Sequence, residues 1–508
     1  MRRPPAPAAL WVGAALALAL GLFVLRERQI AGPLGLAGFP LDDSWIHFQF
    51  ARNLAEGHGF AFNPGVPVSG STAPLWTVLL AGAFALGGSH PALAKLIGIA
   101  ATLGTALLAR RLALAWTASP ALGLLAGVLT ALSGPLVWGA LSGMEVPVAA
   151  LLVTAALLAH TREHEWATAV LLGLATLARP EAVLLVPLVW LARPVTPGRT
   201  VILFGTVGAI VAPSVAFNLA TAGTPWPVTA AAKIEGGLIG LLSGAREPLA
   251  ATLPSRPWQF EAEWVSVLWS VNVLLPLLLL PGLALLARRF GRAALPAAAL
   301  LLQPIGMALL APYRGPAFQE GRYAIHLLPL AIAVAAMALE PLARRPRFRR
   351  AAAAVLVLAS IAALPAAAGR YAWAVQNIDA MQVHLGRWVA AHTPPEARLG
   401  LNDVGAIAYM SRREVVDLMG LVTPAIISYR RDGEAGILRY LERACPDYLV
   451  IFPAWFPRLS AMADRFTPVY RLRLDHNTVA GADEMVVYET AWNRWRRPTR
   501  ACPEPGAR

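Results

Sequence analysis

Nine apolar stretches recur along the chain at or near bilayer-crossing length: residues 9–25, 92–109, 120–138, 145–159, 200–220, 263–287, 293–312, 322–339 and 351–369. A crossing helix takes about 20 such residues, and in hydrocarbon every backbone N–H and C=O must be satisfied inside its own segment. The chain is therefore read as a helical membrane bundle. A tenth segment, 166–192, has room for two short helices but is interrupted by Arg179-Pro180-Glu181. Proline inside a helix costs about 3 kcal/mol, and charges in lipid add to that. A hairpin of two short helices meeting at a polar tip is expected there. Residues 74–88 are short for a crossing and read as an interfacial or re-entrant piece. The expected fold is mainly α, a polytopic domain of about eleven crossings.

Composition agrees. The chain is 57% apolar and 14% charged, against roughly 45–50% and about 25% in soluble proteins. That excludes an ordinary cytosolic enzyme and a disordered chain. The net charge of +14 is a topology signal rather than a mark of nucleic-acid binding. Fifteen arginines fall in short loops on one side of such a bundle: Arg2, Arg3, Arg110, Arg111, Arg162, Arg193, Arg199, Arg288, Arg289, Arg292, Arg344, Arg345, Arg347, Arg349 and Arg350. By the positive-inside rule that side is cytoplasmic. The expectation is a multi-pass protein of the bacterial inner (plasma) membrane with its N-terminus cytoplasmic. Residues 1–25 look like a secretory signal, but Arg26-Glu27-Arg28 follows without a small-residue cleavage pattern, so an uncleaved first helix is expected.

Residues 1–378 hold 14 of the 29 acids and only two aspartates, Asp42 and Asp43; the last 130 residues hold the other 15 acids. Short strand-like runs appear there, at 398–402, 414–417, 448–452, 469–474 and 484–488, with helical signals between several. The expected division is a transmembrane domain over 1–376, with a first exterior loop at 26–91, and a small exterior α/β domain over 377–508.

The acidic pair is the strongest chemical signal. Asp43 or Ser44 is suited to cap a helix over 45–56, but capping leaves a second carboxylate unexplained at a bilayer surface otherwise free of aspartate. Two adjacent carboxylates can divide labour, one accepting a proton while the other holds a substrate hydroxyl or a divalent cation. Glu145, the only charged residue between Leu112 and Ala159, is a secondary acid on the same side, or else simply opens the next helix. Lys233, Arg314, Arg322 and Arg179 are cations able to form a phosphate pocket, although each alone is equally suited to anchor lipid headgroups. Arg52 on the surface helix is placed to pair with Asp42 or Asp43. His58, between two turn glycines, is a substrate-binding candidate or an exposed turn residue.

These residues carry a resemblance. The string Asp42-Asp43-Ser-Trp-Ile-His-Phe-Gln-Phe-Ala-Arg52, continuing through Gly57-His58-Gly59, Asn63-Pro64-Gly65 and Gly70-Ser71-Thr72, resembles the GT-C glycosyltransferases, in particular the mycobacterial terminal arabinofuranosyltransferases and their bacterial relatives. The Ser142-Gly-Met-Glu145 loop, Asn402-Asp403-Val-Gly405 and Val416-Asp417-Leu-Met-Gly420 fit the same relatives. The resemblance implies transfer of a sugar from a polyprenyl-phosphate carrier to a glycan, lipid or protein acceptor on the outer face, with inversion, and Asp42 as general base. It leaves the sugar and any divalent cation open. No Gly-rich phosphate loop followed by lysine is present to bind a nucleotide. A lipid or sugar transporter also suits many crossings and buried charge. In the tail, Trp455, Trp492 and Trp495 are candidate stacking surfaces for an acceptor glycan, and Cys445 and Cys502 are placed to form a disulfide in an oxidising compartment.

Overall fold

The computed structural model describes residues 7–495 except 35, 235, 243–252, 254 and 312, together with the side chains of 343 and 344. Cys502, half of the expected disulfide, lies outside the described residues. Six described helices are long and apolar enough to cross a bilayer: Ala8–Ala31, Pro91–Thr117, Pro197–Ala222, Leu275–Leu310, Ile325–Leu342 and Pro346–His392. A seventh candidate is the pair Pro120–Ala131 and Gly134–Leu141, bent by 52°. Pro135 follows that bend, and the residue before a proline is disfavoured in helical geometry. The helices Val146–Thr161, Glu165–Ala178 and Pro180–Leu191 are apolar but shorter.

The hairpin at 166–192 forms. Arg193, beyond its second arm, meets Glu163 (2.9 Å) and the carbonyl of His160 (2.7 Å) before its first arm. The tip at Arg179 therefore lies at the opposite end of the bundle. Helix Pro74–Gly87 starts and ends at that same opposite end. Trp76 Nε1 donates to Gly143 O (3.1 Å), and Ser89 O accepts from Tyr409 in the C-terminal domain (2.9 Å). The stretch 263–287 is not one helix. It divides into Arg256–Val271 and Leu275–Phe290 at Asn272, whose Nδ2 donates to Leu356 O and Ser360 Oγ (2.7 and 2.8 Å).

The C-terminal part carries a five-stranded sheet of order β2-β1-β3-β5-β4. Its strands are β1 (Arg398–Leu401), β2 (Glu414–Asp417), β3 (Tyr448–Ile451), β4 (Phe466–Arg473) and β5 (Glu484–Thr490). β2, β1 and β3 run parallel, with β5 and β4 antiparallel beside them. No linker marks the expected boundary at 376/377, because one helical run of 47 residues, Pro346–His392, passes through it. The sheet domain docks on the first loop. Asn63 bonds both Val415 O and Val415 N (2.8 and 2.9 Å), filling the open edge of β2.

Candidate active site

The surface helix runs Asp42–Ala55, three residues earlier than expected, with both acids in its first turn and no side-chain cap bond at its N-terminus. The capping role expected for Asp43 or Ser44 is absent. Ser44 Oγ donates to Ser142 O instead (2.7 Å), tying the helix to the loop that carries Glu145.

The two aspartates have different partners. Asp42 Oδ2 and Oδ1 accept from the backbone N–H groups of Gly405 and Ala406, both at 2.7 Å. Asp42 thus caps a helix of the C-terminal domain, Gly405–Ser411, across more than 360 residues of chain. The approach requires glycine, since a Cβ on Gly405 would lie 2.0 Å from Asp42 O. Asp43 faces the cations. Its Oδ2 accepts from Arg322 Nη2 at 2.8 Å and lies 3.8 Å from Lys233 Nζ.

Arg322 is buried yet has two donors, Nε and Nη1, without a partner among the described residues, against the rule that buried polar groups find partners. Its position comes from an unusual backbone. Gln319, Glu320 and Gly321 have φ of 49°, 60° and 84°. Left-handed non-glycine residues cost roughly 1–2 kcal/mol each, so such a loop persists only where its surroundings fix it. Arg370 fixes it, with Nε and Nη2 on the Glu320 carboxylate at 2.5 and 2.8 Å.

Asp42, Asp43, Lys233, Arg314 and Arg322 line one cavity of about 920 Å³. Arg314 stacks on Tyr313 and Phe318 (5.5 and 5.1 Å to the ring centres). Behind this layer Glu145, buried, pairs with Arg179 (2.5 Å) and approaches His47 (3.5 Å), while Arg179 also pairs with Glu181 (3.0 Å). Arg179 and Arg322 each lie 5.0 Å from the Tyr323 ring centre, so one tyrosine spaces the two cations.

Four candidates stand outside the cavity lining: Glu145, which lies behind it, and Arg179, Arg52 and His58. Arg179 is neutralised by two glutamates and is not among the residues lining the cavity; it supports the site from behind. Arg52 pairs with neither aspartate. It donates to Tyr409 O (2.9 Å) and to Gln49 and lies over the Tyr409 ring, so it docks the C-terminal domain. His58 has an exposed side chain, beside Glu56 at 3.9 Å, and is a turn residue away from the cavity. A divalent cation on Asp42 and Asp43 does not fit either. Their facing oxygens hold backbone N–H groups and cations, and no group of three His, Cys, Asp or Glu side chains able to hold a metal occurs among the described residues.

A third acid of the cavity stood in sequence only as part of the Asn402-Asp403-Val-Gly405 motif, without a role of its own. Asp403, from the C-terminal domain, lines the cavity and accepts from Gln382 Nε2 (2.8 Å). The available signal was its place just after β1, since ligands of open α/β sheets gather at the carboxyl ends of parallel strands.

Electrostatics separate the acids. Burial raises the Asp42 carboxyl well above the ordinary range, and repulsion from Asp403 adds to it against the two backbone N–H bonds. Burial also pushes Asp43 up, but Lys233 and Arg322 outweigh it and hold Asp43 below its ordinary value. Asp403 is raised to about 6, by burial first and by Asp43 and Asp417 after it, with the Gln382 bond opposing.

The architecture has solved counterparts. ArnT from Cupriavidus metallidurans in the apo state aligns over 95% of this chain and 98% of its own, at 14% identity and TM-score 0.55. The oligosaccharyltransferase of Archaeoglobus fulgidus, in complex with Zn and sulfate, aligns over 96% of this chain and 73% of its own, at 14% identity and TM-score 0.56. The fold is GT-C. The chain also matches, over residues 375–496, a family described as a domain of unknown function (DUF8728). That match begins inside the long helix and takes in the whole sheet. No curated protein matches the sequence.

Proposed function

We propose that the protein is a membrane glycosyltransferase that moves a sugar from a polyprenyl-phosphate carrier to an acceptor on the outer membrane face. The observation that carries this is the excess of cation over anion in the cavity, whose lining holds six basic residues, Lys233, Arg256, Arg314, Arg322, Arg430 and Arg431, against three acids, Asp42, Asp43 and Asp403. Arg322 and Lys233 share one carboxylate, Arg322 keeps two donors unspent, and Arg314 has no carboxylate partner among the described residues. A phosphate group complements that surplus. Two relatives of the fold support a lipid phosphate: ArnT has been solved bound to undecaprenyl phosphate, and the archaeal oligosaccharyltransferase AglB with dolichol-phosphate and an inhibitory peptide.

In this reading Arg322, Lys233 and Arg314 hold the donor phosphate. The acceptor oxygen forms its bond to the anomeric carbon as the bond to phosphate breaks, and the electron pair leaves on the phosphate oxygen. Asp42 takes the acceptor proton. Asp43, in direct contact with the phosphate-binding cations, sits on the leaving-group side and orients them; a base must lie across the sugar from that group. Asp42 uses two of its roughly four acceptor sites on backbone N–H groups, which leaves capacity for a hydroxyl. One displacement inverts the anomeric centre. The arginine-rich loops then face the cytoplasm.

The test is turnover by purified protein of labelled polyprenyl-phosphate arabinofuranose and mannose. A new covalent glycoside is expected, and Asp42→Asn should reduce its formation by about 10²–10⁴-fold. Full turnover by Asp42→Asn would remove Asp42 as base. Movement of the lipid across vesicles with no new glycoside would make the protein a transporter.

A further inference from the structure

The far wall of the cavity comes from the C-terminal domain, at the carboxyl ends of its three parallel strands. Asn402 and Asp403 follow β1, Met419 and Leu421 follow β2, and Trp455 follows β3. This end of a parallel sheet is the usual seat of ligands. Trp455 is 43% exposed although it lines the cavity. Its ring is fixed by Nε1–H donating to Gly481 O (3.0 Å) and by packing against Phe452 at 5.5 Å. A Cβ on Gly481 would lie 2.6 Å from Trp455 Cζ2, so glycine there lets the loop close on the indole. A large aromatic held rigid with much of its surface open is a binding surface rather than core. Trp492 is by contrast buried against Phe466, and Trp495, exposed beside Arg494, is not among the cavity residues.

The polar groups beside it are also underused. Asn402 is 2% exposed, and its Oδ1 accepts from Phe452 N (3.2 Å), but its Nδ2 has no partner among the described residues. Asp403 accepts from the Gln382 amide and has no cation within ion-pair distance among the described residues. An open indole, an amide with a spare donor and an unpaired carboxylate are a set that suits one ligand chemistry. A sugar ring offers a C–H face to the indole and vicinal hydroxyls that both donate and accept. A sugar brings all three together within a single ring.

We propose that the acceptor is itself a carbohydrate, and that Trp455, Asn402 and Asp403 form the subsite that seats its terminal sugar ring. This rests on the glycosyltransferase reading and adds the acceptor class to it. The division of labour is then spatial. The membrane-embedded half holds the donor phosphate, and the C-terminal domain presents the acceptor hydroxyl to Asp42, which is itself bonded to Gly405, two residues beyond Asp403.

The experiment uses octyl glycosides of arabinofuranose, galactofuranose and mannopyranose, and reads two quantities on the full-length protein. Saturation-transfer NMR reads glycoside binding without turnover. Transfer kinetics with labelled polyprenyl-phosphate sugar read the acceptor and donor KM separately. Wild type should bind at least one glycoside. Trp455→Ala should abolish that binding signal and raise the acceptor KM at least tenfold, with the donor KM within about twofold. Trp455→Phe, which keeps an aromatic face, should recover most of both, and Asp403→Asn should weaken binding severalfold. Binding by wild type that survives Trp455→Ala unchanged overturns the subsite, as does absence of binding to all three glycosides. Binding that depends on Trp455 without any transfer supports the subsite and counts against the glycosyltransferase reading instead.

Discussion

Asp43 and an incoming phosphate compete for the same two cations. Asp43→Asn should therefore tighten binding of polyprenyl phosphate severalfold while lowering the transfer rate, because the cations are freed but no longer aimed. Isothermal titration on the variant checks the sign, and weaker binding would contradict the role given to Asp43. The raised acids predict a pH dependence. A base is lost when it protonates, so transfer should fall as pH drops through the range of the Asp42–Asp403 pair, near 6 for Asp403, with apparent values belonging to the pair. Asp43, Asp417 and Lys233 also face Asp403. Asp403→Asn removes a negative neighbour from Asp42, which should move the acid limb of the rate profile to lower pH. The acidic pair and Lys233 were legible in sequence because residues 1–378 hold only two aspartates and two lysines, and Arg322 because it falls on the side of the bundle that carries that pair. Arg52, His58 and Arg179 lie away from the cavity lining, because a charge on a surface helix, in a turn or at a hairpin tip has several ways to be satisfied. Only three-dimensional neighbours decide among them.

At the level of elements, all five strands were readable as short runs rich in apolar residues, and β2 spans the expected residues, 414–417. The helix ends were less so. Asn272 interrupts an apolar run, and no local pattern revealed that its amide would be absorbed by Leu356 and Ser360 some 85 residues away. The left-handed loop before Arg322 was equally invisible, since Gln319 and Glu320 have no intrinsic preference for that backbone. It depends on Arg370. Arg370→Ala should release Glu320, let the loop relax, and raise the donor KM severalfold without changing the acceptor KM, although Arg370 is not a cavity residue. Steady-state kinetics with each substrate varied in turn check this, and an unchanged donor KM would show that the loop holds its shape unaided.

Across the whole molecule, the junction of the two parts was placed by sequence where the composition changes, near 377. The helix that crosses that point was hidden because helical periodicity continues while polarity shifts. The docking of the sheet domain onto the first loop joins residues more than 340 positions apart, through Asp42 with Gly405 and Asn63 with Val415, and no single-sequence pattern encodes such pairings. Gly405→Ala tests how tightly this contact is made. A methyl group has no room there, so the variant should expose the C-terminal domain to proteolysis at lower temperature and reduce transfer; unchanged protection would show that the interface has slack. The account as a whole stands on where a lipid phosphate binds. Cryo-electron microscopy of the protein with polyprenyl phosphate should show phosphate density within hydrogen-bonding reach of Arg322 and Lys233, with Asp43 drawn away from one of them. Phosphate density at the arginine-rich opposite end of the bundle, with Arg322 still closed on Asp43, would contradict it.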